Sequence, residues 1–323
     1  MQVYLVEGDP LTLIDTGVQT RASQAALESA LDELGYGVVD IERVVLTHGH
    51  RDHFGLVQTL RERGARLECW VHEADAPMVE DFEQVVRSRL EDVFELFREA
   101  GASSAVLARI ERDRFHDLDQ NLAEARATRV DRALREDDRV EWKGFAFRVI
   151  HSPGHTPGHL LLEDEEAGLL FTGDQVMAQV VPRAETFHSS PIPDPADPAR
   201  RRPRFKGLVE LRRSLRRLRN RSDRWLLPGF GGLVRRADRT IRDTLLYYDV
   251  RLQRIERSLR SLVALNQEVT AFELRTALFP PDESLERIRS QLSLVIGALD
   301  CLEEDGLVVT RRRADGVLTH RHR

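Results

Sequence analysis

Residues 44–53 read VVLTHGHRDH, an apolar stretch typical of a buried strand that runs directly into a histidine cluster. The last six of these residues carry three imidazoles and one carboxylate. Because alternate residues of an extended turn can point into one site, His48 and His50 are expected to face one ion, with Asp52 and His53 able to serve a neighbouring one. Neutral imidazole and carboxylate are ligands of zinc, and also of iron or manganese. The stretch therefore predicts a metal site at the end of a strand.

Other short apolar runs also end in polar clusters, which is the pattern by which strands deliver loops to one edge of a sheet. They are LTLIDTG (11–17), FAFRVIHSPGH (145–155), LLLEDEEAGLLFTGD (160–174) and WLLPGFGG (225–232). The second run ends at His155, and the third reads as a hairpin that stops at Asp174, a carboxylate able to bridge two ions. The shared pattern predicts layered α and β elements with one functional rim.

The composition is that of an ordinary globular protein. At about 150 residues per domain, 323 residues predict two domains, or one large domain with an appendage. Hydrophobic residues make up 41%, and 48 basic against 54 acidic residues give a net charge of −6, too mild to bind polyanions by overall charge alone. Cys69 and Cys301 form no disulfide framework. Since neither a long apolar segment nor a leader-like start is present, we expect a cytoplasmic protein without a membrane partner.

Between the two histidine clusters, residues 74–138 read as a helical insertion with apolar residues at helical spacing. These apolar residues are Phe82, Val85, Val86, Leu90, Val93, Phe94 and Phe97. We expect the insertion to pack onto the body of the protein or onto a second copy of the chain. A lid over an apolar substrate tail is the alternative.

Residues 200–224 form a strongly basic segment around an amphipathic helix. Its acidic residues are Glu210 and Asp223, and its basic residues are Arg200, Arg201, Arg202, Arg204, Lys206, Arg212, Arg213, Arg216, Arg217, Arg219, Arg221 and Arg224. One interpretation is a solvated helix face. The other is a site for the phosphates of a coenzyme or a nucleic acid.

From residue 243 onward the pattern changes to helices and a terminal hairpin. Residues 270–273 have the form of a capping box, residues 284–304 read as a longer helix, and residues 307–320 read as two strands around a turn. This order predicts a small winged-helix-like domain at 243–323, for dimerisation or for nucleic-acid binding, after a larger domain at 1–242 that carries the predicted metal site. We also expect a homo-oligomer.

The histidine motifs together resemble those of the metallo-β-lactamase superfamily. The matching motifs are His-x-His-x-Asp-His at 48–53, Pro-Gly-His-Thr at 153–156 and Gly-Asp at 173–174, each after an apolar strand, together with the earlier Asp-Thr-Gly at 15–17. The resemblance covers roughly residues 1–240. It implies an α/β fold, namely an αββα sandwich with a dinuclear metal site at one rim. The helical tail is similar to that of β-lactamase-like and glyoxalase II-like hydrolases.

The resemblance also assigns the metal ligands. It implies that His48, His50 and His155 hold the first metal, that Asp52 and His53 hold the second, and that Asp174 lies between the two.

The chain departs from the family pattern at Phe230. Members usually complete the second metal site with the histidine of a Pro-Gly-His-Gly turn, whereas residues 228–231 here read Pro-Gly-Phe-Gly. Because phenylalanine offers no lone pair, we expect one well-held metal; a second ion held by Asp52, His53 and Asp174 is the alternative. His188 is a candidate substitute ligand. Surface, packing or ligand-supporting roles are expected for His72, His151 and His159.

These residues predict a metal-dependent hydrolase that uses a metal-bound hydroxide, with zinc as the expected ion and Asp52 as the catalytic group that orients the hydroxide and accepts its proton. A thioester or ester with an anionic or acyl part is the expected substrate. One alternative is a phosphodiesterase or ribonuclease that uses the basic helix and Arg311, Arg312 and Arg313. Another is a non-catalytic nucleic-acid-binding or interaction protein that retains a metal.

Overall fold

The computed structural model describes residues 1–219, 224–266, 268–281 and 284–323, which form two compact units. The first unit contains residues 1–87, 117–182 and 214–242, and the second contains residues 88–116, 183–213 and 243–323. The two units are thus interleaved along the chain, whereas the sequence predicts one boundary after residue 242. As a statement about independently folding domains, that division stays a prediction.

The strands and helices follow one another along the described residues in a mixed α/β order. They are β1 Tyr4–Val6, β2 Thr12–Ile14, α1 Arg21–Glu33, β3 Arg43–Val45, α2 Arg51–Phe54, α3 Val57–Glu62, β4 Glu68–His72, α4 Ala76–Glu80, α5 Phe82–Glu99, α6 Ser104–Glu124, β5 Arg132–Leu134, β6 Arg139–Trp142, β7 Phe145–His151, β8 Leu160–Asp164, β9 Leu169–Gly173, β10 Thr186–His188, β11 Arg204–Lys206, α7 Gly207–Leu218, β12 Trp225–Pro228, α8 Ala237–Asn266, β13 Val269–Thr270, α9 Ala271–Leu278, α10 Leu285–Glu304, β14 Val308–Arg312 and β15 Leu318–His322.

Two five-stranded sheets build the first unit. The first sheet has the order β1-β2-β3-β4-β5 and is parallel from β2 onward. The second has the order β12-β9-β8-β7-β6 and is antiparallel except for the parallel pair of β9 and β12. Apolar side chains of both sheets share one buried cluster, which includes Ile14, Val45 and Trp70 of the first sheet and Val149 and Phe171 of the second. The core therefore lies between the two sheets.

The second sheet explains why the loops that carry His155, Asp174 and Phe230 lie together. In the second sheet β7 and β9 run in the same direction, because each is antiparallel to β8, and β12 runs parallel to β9. The carboxyl ends of these three strands therefore reach one edge, where the loops that begin at residues 152, 174 and 229 emerge. This edge corresponds to the rim at which the sequence predicts the functional residues.

The predicted insertion at 74–138 is largely helical, with α4, α5 and α6 between residues 76 and 124. Residues 132–134 are instead strand β5, which pairs in parallel with β4 at the edge of the first sheet. The sequence does not reveal this strand, because it has only three residues and only Leu134 among them is buried. The insertion therefore ends earlier than predicted.

The second unit contains a helical part and a three-stranded antiparallel sheet with the order β13-β15-β14. The predicted capping box is confirmed, since Thr270 Oγ1 accepts a hydrogen bond from the Glu273 N–H at 3.1 Å and the Glu273 carboxylate accepts one from the Thr270 N–H at 2.8 Å. The predicted helix and hairpin correspond to α10 and to β14 and β15. The winged-helix-like character of this segment stays a prediction.

No helix among the described residues is long and apolar enough to cross a membrane. Cys69 and Cys301 are both buried, and neither is part of a disulfide.

Glu99 is the centre of a buried charge cluster within the second unit. Its carboxylate lies 3.1 Å from His188 Nε2, accepts a hydrogen bond from Arg312 at 3.1 Å, and lies 3.6 Å from the Arg202 guanidinium. Burial raises the pKa of Glu99, but His188 and Arg312 outweigh burial and lower that pKa from 4.5 to about 2. The ionised carboxylate therefore stabilises the folded unit.

We expect Glu99→Gln to destabilise the protein by on the order of 3 kcal/mol between pH 4.5 and 6.5. Because the folded-state pKa lies below the unfolded one, this contribution is complete above pH 4.5 and is lost as the pH falls toward 2. Urea unfolding of both proteins at pH 5.5 and pH 2.5 checks the effect, with Glu91→Gln on the exposed side of α5 as the matched control. A stability difference that is the same at both pH values would contradict it.

Candidate metal centre

Three imidazole nitrogens converge at the rim of the first unit. His50 Nδ1 lies 3.0 Å from His48 Nε2 and 3.0 Å from His155 Nε2. His48 and His155 are buried, with 0% and 7% exposure, whereas His50 is partly open to solvent. The three side chains form one of two groups of described residues that could hold a metal ion. The structure thus brings together loops that are 105 residues apart in sequence.

Thr47 and Asp15 orient the ring of His48. The Thr47 hydroxyl donates a hydrogen bond to Asp15 Oδ2 at 2.9 Å, so its oxygen accepts one from His48 Nδ1 at 3.1 Å. This arrangement leaves the lone pair of His48 on Nε2, which faces the other two imidazoles. Burial first, and then the neighbouring imidazoles, lower the pKa of His48 well below its usual value. His48 is therefore held neutral, the form that ligates metals.

The second group of possible ligands consists of His48, His53 and Asp174. His53 Nδ1 donates to Asp15 Oδ2 at 2.8 Å, and His53 Nε2 lies 3.5 Å from Asp174 Oδ1. Both of these facing atoms are buried, and neither makes a hydrogen bond to any described residue. Burial lowers the pKa of His53, but Asp15 and Asp174 outweigh it and raise that pKa to about 10. The surroundings of His53 therefore favour a positive charge, which a divalent cation would supply.

Asp174, a member of the second group, also faces the first group. Its Oδ2 is 3.5 Å from His155 Nε2, and its Oδ1 is 3.5 Å from His53 Nε2. Burial raises the pKa of Asp174, but the imidazoles, His53 foremost, outweigh burial and lower it to about 2. An ionised carboxylate thus faces both groups, where the sequence places a bridging ligand.

Asp52 lies at the outer edge of the site rather than within either group. Its Oδ2 is 3.9 Å from His53 Nε2, and its side chain is 39% exposed. It belongs to the first turn of α2, a short helix that begins directly after His50. Asp52 therefore faces both the candidate metal centre and solvent.

Phe230 borders the second group, where its ring packs edge-on against the ring of His53 at 6.1 Å between centroids. The preceding Gly229 allows the loop to come this close. A Cβ at Gly229 would overlap Asp174 Oδ1 and would lie 3.0 Å from His53 Cε1. The loop thus has the position of a ligand loop but presents an aromatic ring.

The remaining histidines have other surroundings. His159 is fully buried and accepts a hydrogen bond from the Asp174 N–H at 3.1 Å, so it supports a candidate ligand. The rings of His72 and His151 stack at 3.9 Å, and His151 Nε2 donates to the Pro157 carbonyl at 2.8 Å. None of these three belongs to a group that could hold a metal among the described residues.

His188 belongs to the second unit, and carboxylates engage both of its ring nitrogens. Asp92 lies 2.5 Å from Nδ1, and Glu99 lies 3.1 Å from Nε2. The side chain is 3% exposed. His188 is therefore committed to an ion-pair cluster, and this arrangement does not support its use as a substitute ligand.

The basic segment at 200–224 is largely neutralised by ion pairs. Within the second unit the pairs are Arg201 with Asp197 and Glu303, Arg202 with Glu95 and Glu99, Arg204 with Asp300, Arg212 with Asp249, and Arg213 with Glu210 and Glu304. Within the first unit they are Arg217 with Glu136 and Arg224 with Glu163. Arg221 and Asp223 lie outside the described residues. The segment mainly forms internal ion pairs.

Asp15 and Thr47 orient candidate ligands, although the sequence motifs predict no such role for them. Asp15 has a positive φ of 61°, which is costly for residues other than glycine but best tolerated by asparagine and aspartate. Its carboxylate accepts hydrogen bonds from the Thr47 N–H at 2.8 Å and from His53 Nδ1 at 2.8 Å. The sequence feature that could indicate Asp15 is its position as a polar residue directly after β2, at the same edge of the sheet as the histidine loop.

The chain is similar to several known proteins. A family model of the Metallo-beta-lactamase superfamily matches residues 2–271. The chain is 28% identical over 310 residues to a probable metallo-hydrolase, YqjP, of Bacillus subtilis, covering 95% of this chain and 89% of that protein. It is 28% identical over 138 residues to the hydroxyacylglutathione hydrolase GloC of Haemophilus influenzae, covering 42% of this chain and 50% of that protein.

A solved structure shows the same architecture. The metallo-beta-lactamase family protein TTHA1429 from Thermus thermophilus superposes with a TM-score of 0.74 at 26% identity, covering 99% of this chain and 93% of that one. The predicted α/β fold class, with its αββα sandwich, is confirmed.

Proposed function

The chain belongs to the metallo-beta-lactamase superfamily, and from this premise we propose that it is a zinc-dependent hydrolase of thioesters or esters. The observation that carries the proposal is the convergence of His48, His50 and His155 beside two carboxylates, Asp174 and Asp52. Three imidazole ligands together with one open coordination position are typical of catalytic zinc sites.

The donor set fits a divalent ion. His48, His50 and His155 would hold it, and the buried atoms His53 Nε2 and Asp174 Oδ1, which have no hydrogen-bond partner among the described residues, would face it as well. When bound, such an ion supplies Lewis acidity, which makes a water molecule more acidic and polarises a carbonyl group.

The protein's own contribution to hydrolysis centres on Asp52. Its Oδ2, 3.9 Å from His53 Nε2, would orient the attacking water and accept the proton that this water loses. Because the side chain is 39% exposed, the proton can pass from Asp52 to solvent between turnovers. The buried hydrogen bonds of Asp15 and Thr47 keep the imidazoles fixed while this proton moves.

The leaving group favours a thioester over an amide. A thiolate leaves readily because the pKa of a thiol is about 8.5, whereas an amine must be protonated as it leaves. In thioester hydrolysis Asp52 therefore has to act only as a proton acceptor, and it does not also have to donate a proton to the leaving group. The resemblance to a hydroxyacylglutathione hydrolase supports the same substrate class, since the acyl group of hydroxyacylglutathione is joined to sulfur.

A phosphodiester substrate has less support. Binding of a nucleic-acid backbone requires cationic side chains that can face phosphates. The arginines of 200–224 are largely paired with carboxylates, and in the terminal hairpin Arg311, Arg312 and Arg313 pair with Glu268, Glu99 and Asp315. We therefore propose a small acyl substrate rather than a nucleic acid.

We expect Asp52→Asn to lower kcat for an acyl-CoA or acyl-glutathione thioester by about 10²- to 10⁴-fold, because the amide cannot accept the proton. The tightly held metal should remain, since Asp52 lies outside the three-imidazole group. Steady-state kinetics together with elemental analysis check both statements, and Asp32→Asn on the exposed side of α1 is the matched control. Unchanged turnover in Asp52→Asn would remove Asp52 from the mechanism, and the absence of any thioester hydrolysis by the wild type would overturn the proposed substrate class.

A further inference from the structure

Asp75 is a buried carboxylate, 3% exposed, that contacts both histidine loops of the first unit. Its Oδ2 accepts hydrogen bonds from the Gly49 N–H at 2.8 Å and from the Thr156 hydroxyl at 2.6 Å. Its Oδ1 accepts a hydrogen bond from the Gly158 N–H at 2.6 Å. A single side chain thus joins two loops that are more than 100 residues apart along the chain.

The donors that Asp75 binds are immediate neighbours of the candidate ligands. Gly49 lies between His48 and His50, and Thr156 directly follows His155. A shift of either donor would therefore move an imidazole nitrogen in the three-imidazole group. The separation of 3.0 Å between His155 Nε2 and His50 Nδ1 spans the two loops that Asp75 ties together.

Two glycines leave room for this contact. A Cβ at Gly158 would lie 2.6 Å from the Asp75 nitrogen and 2.7 Å from its Cγ, and a Cβ at Gly49 would lie 3.1 Å from the Asp75 carbonyl oxygen. Neither glycine has a left-handed backbone conformation, so the space, and not the backbone angle, excludes a side chain. The close approach of both loops to Asp75 is therefore built into the sequence.

The helix that follows Asp75 does not account for its side chain. Asp75 is the N-cap residue of α4, a position where aspartate commonly accepts a hydrogen bond from its own helix. Here its side chain makes no such capping bond. The carboxylate is directed to the two histidine loops instead.

We propose that Asp75 is a positioning residue that fixes the two histidine loops relative to each other and so preforms the three-imidazole metal site. This inference rests on the proposed function. Hydrogen bonds from loop donors to an ionised carboxylate are stronger than bonds between neutral groups, and burial strengthens them further. Residues that support metal ligands from outside the coordination shell typically change metal affinity or activity by 10- to 100-fold when they are replaced.

The test is the zinc affinity of Asp75→Asn, measured by competition with a chelator. An amide retains one oxygen but places an NH₂ group against one of the three donors, so at least one hydrogen bond is lost. We expect zinc affinity to fall by about 10- to 100-fold, with Thr156→Val, which loses one donor only, showing a smaller loss. Asp81→Asn at the exposed end of α4 is the matched control and should bind zinc like the wild type.

Two further measurements separate positioning from folding. The d–d absorption bands of the cobalt(II)-substituted protein should shift in Asp75→Asn, because the imidazoles move, while far-UV circular dichroism of the metal-free variant stays that of the wild type. Amide exchange at Gly49 and Gly158 in the metal-free protein should be faster in the variant.

Wild-type zinc affinity with unchanged cobalt bands in Asp75→Asn would overturn the inference even if the enzyme hydrolyses thioesters. Conversely, loss of zinc affinity in this variant supports the inference even if the wild type hydrolyses no thioester, an outcome that refutes only the proposed substrate class.

Discussion

Replacement of His50 by alanine is expected to lower kcat/KM for a thioester by at least about 10³-fold and to remove the tightly bound metal. His50 Nδ1 lies 3.0 Å from the facing nitrogen of each of the other two imidazoles, so it is the shared neighbour within the group. A metal ion contributes several kcal/mol to the stabilisation of the transition state, and a loss of about 4 kcal/mol corresponds to this factor.

Elemental analysis and steady-state kinetics on the same preparation check the prediction for His50. His116→Ala, which removes an exposed histidine of α6, is the matched control and should keep both metal and activity. A His50→Ala protein that binds zinc and turns over like the wild type would show that the three-imidazole group is not the catalytic centre.

Substitution of Phe230 by histidine is expected to create a second occupied metal site. His53 Nε2 and Asp174 Oδ1 face each other without hydrogen bonds to the described residues, and the ring of Phe230 packs against His53. A histidine at this position would add an imidazole to His53, Asp174 and Asp52. Since even a residue that only supports a ligand changes metal affinity 10- to 100-fold, a new ligand should raise the affinity of the second site by at least about 10²-fold.

Zinc titration followed by calorimetry measures this second binding event. We expect about one tight zinc per chain in the wild type and two in Phe230→His, with Phe230→Leu, which removes the ring without adding a ligand, matching the wild type. Two equally tight sites in the wild type would show that Asp52, His53 and Asp174 suffice, and that the aromatic residue is no obstacle.

The strand ends were predictable from the sequence because their signal is local. An apolar run followed by histidine or aspartate can be recognised without knowledge of the fold, and these runs end at the observed rim. Strand β5 escaped recognition because three residues with a single buried side chain carry no periodicity.

The supporting residues could not be predicted in the same way, because their partners are distant in sequence. Asp15 binds Thr47 across 32 residues, and Asp75 binds Gly158 across 83. Asp75, as the residue before a helix, has the local pattern of an ordinary N-cap. Only the fold shows that its carboxylate serves two other loops.

The basic segment shows that local composition can also suggest a binding surface when the charges are in fact paired in the fold. Residues 200–224 suggest a phosphate-binding surface when they are considered alone. Some of their carboxylate partners, such as Asp300 for Arg204 and Glu303 for Arg201, lie about 100 residues away along the chain. A cluster of charge in sequence therefore need not be a cluster of charge on the surface.

Anomalous diffraction from crystals of the zinc-loaded protein, collected at the zinc absorption edge, shows whether the three imidazoles bind a single zinc ion. We expect a strong peak about 2.0–2.1 Å from each of His48 Nε2, His50 Nδ1 and His155 Nε2. A zinc-loaded crystal with no peak among these three nitrogens, or with its zinc bound elsewhere, would contradict this expectation.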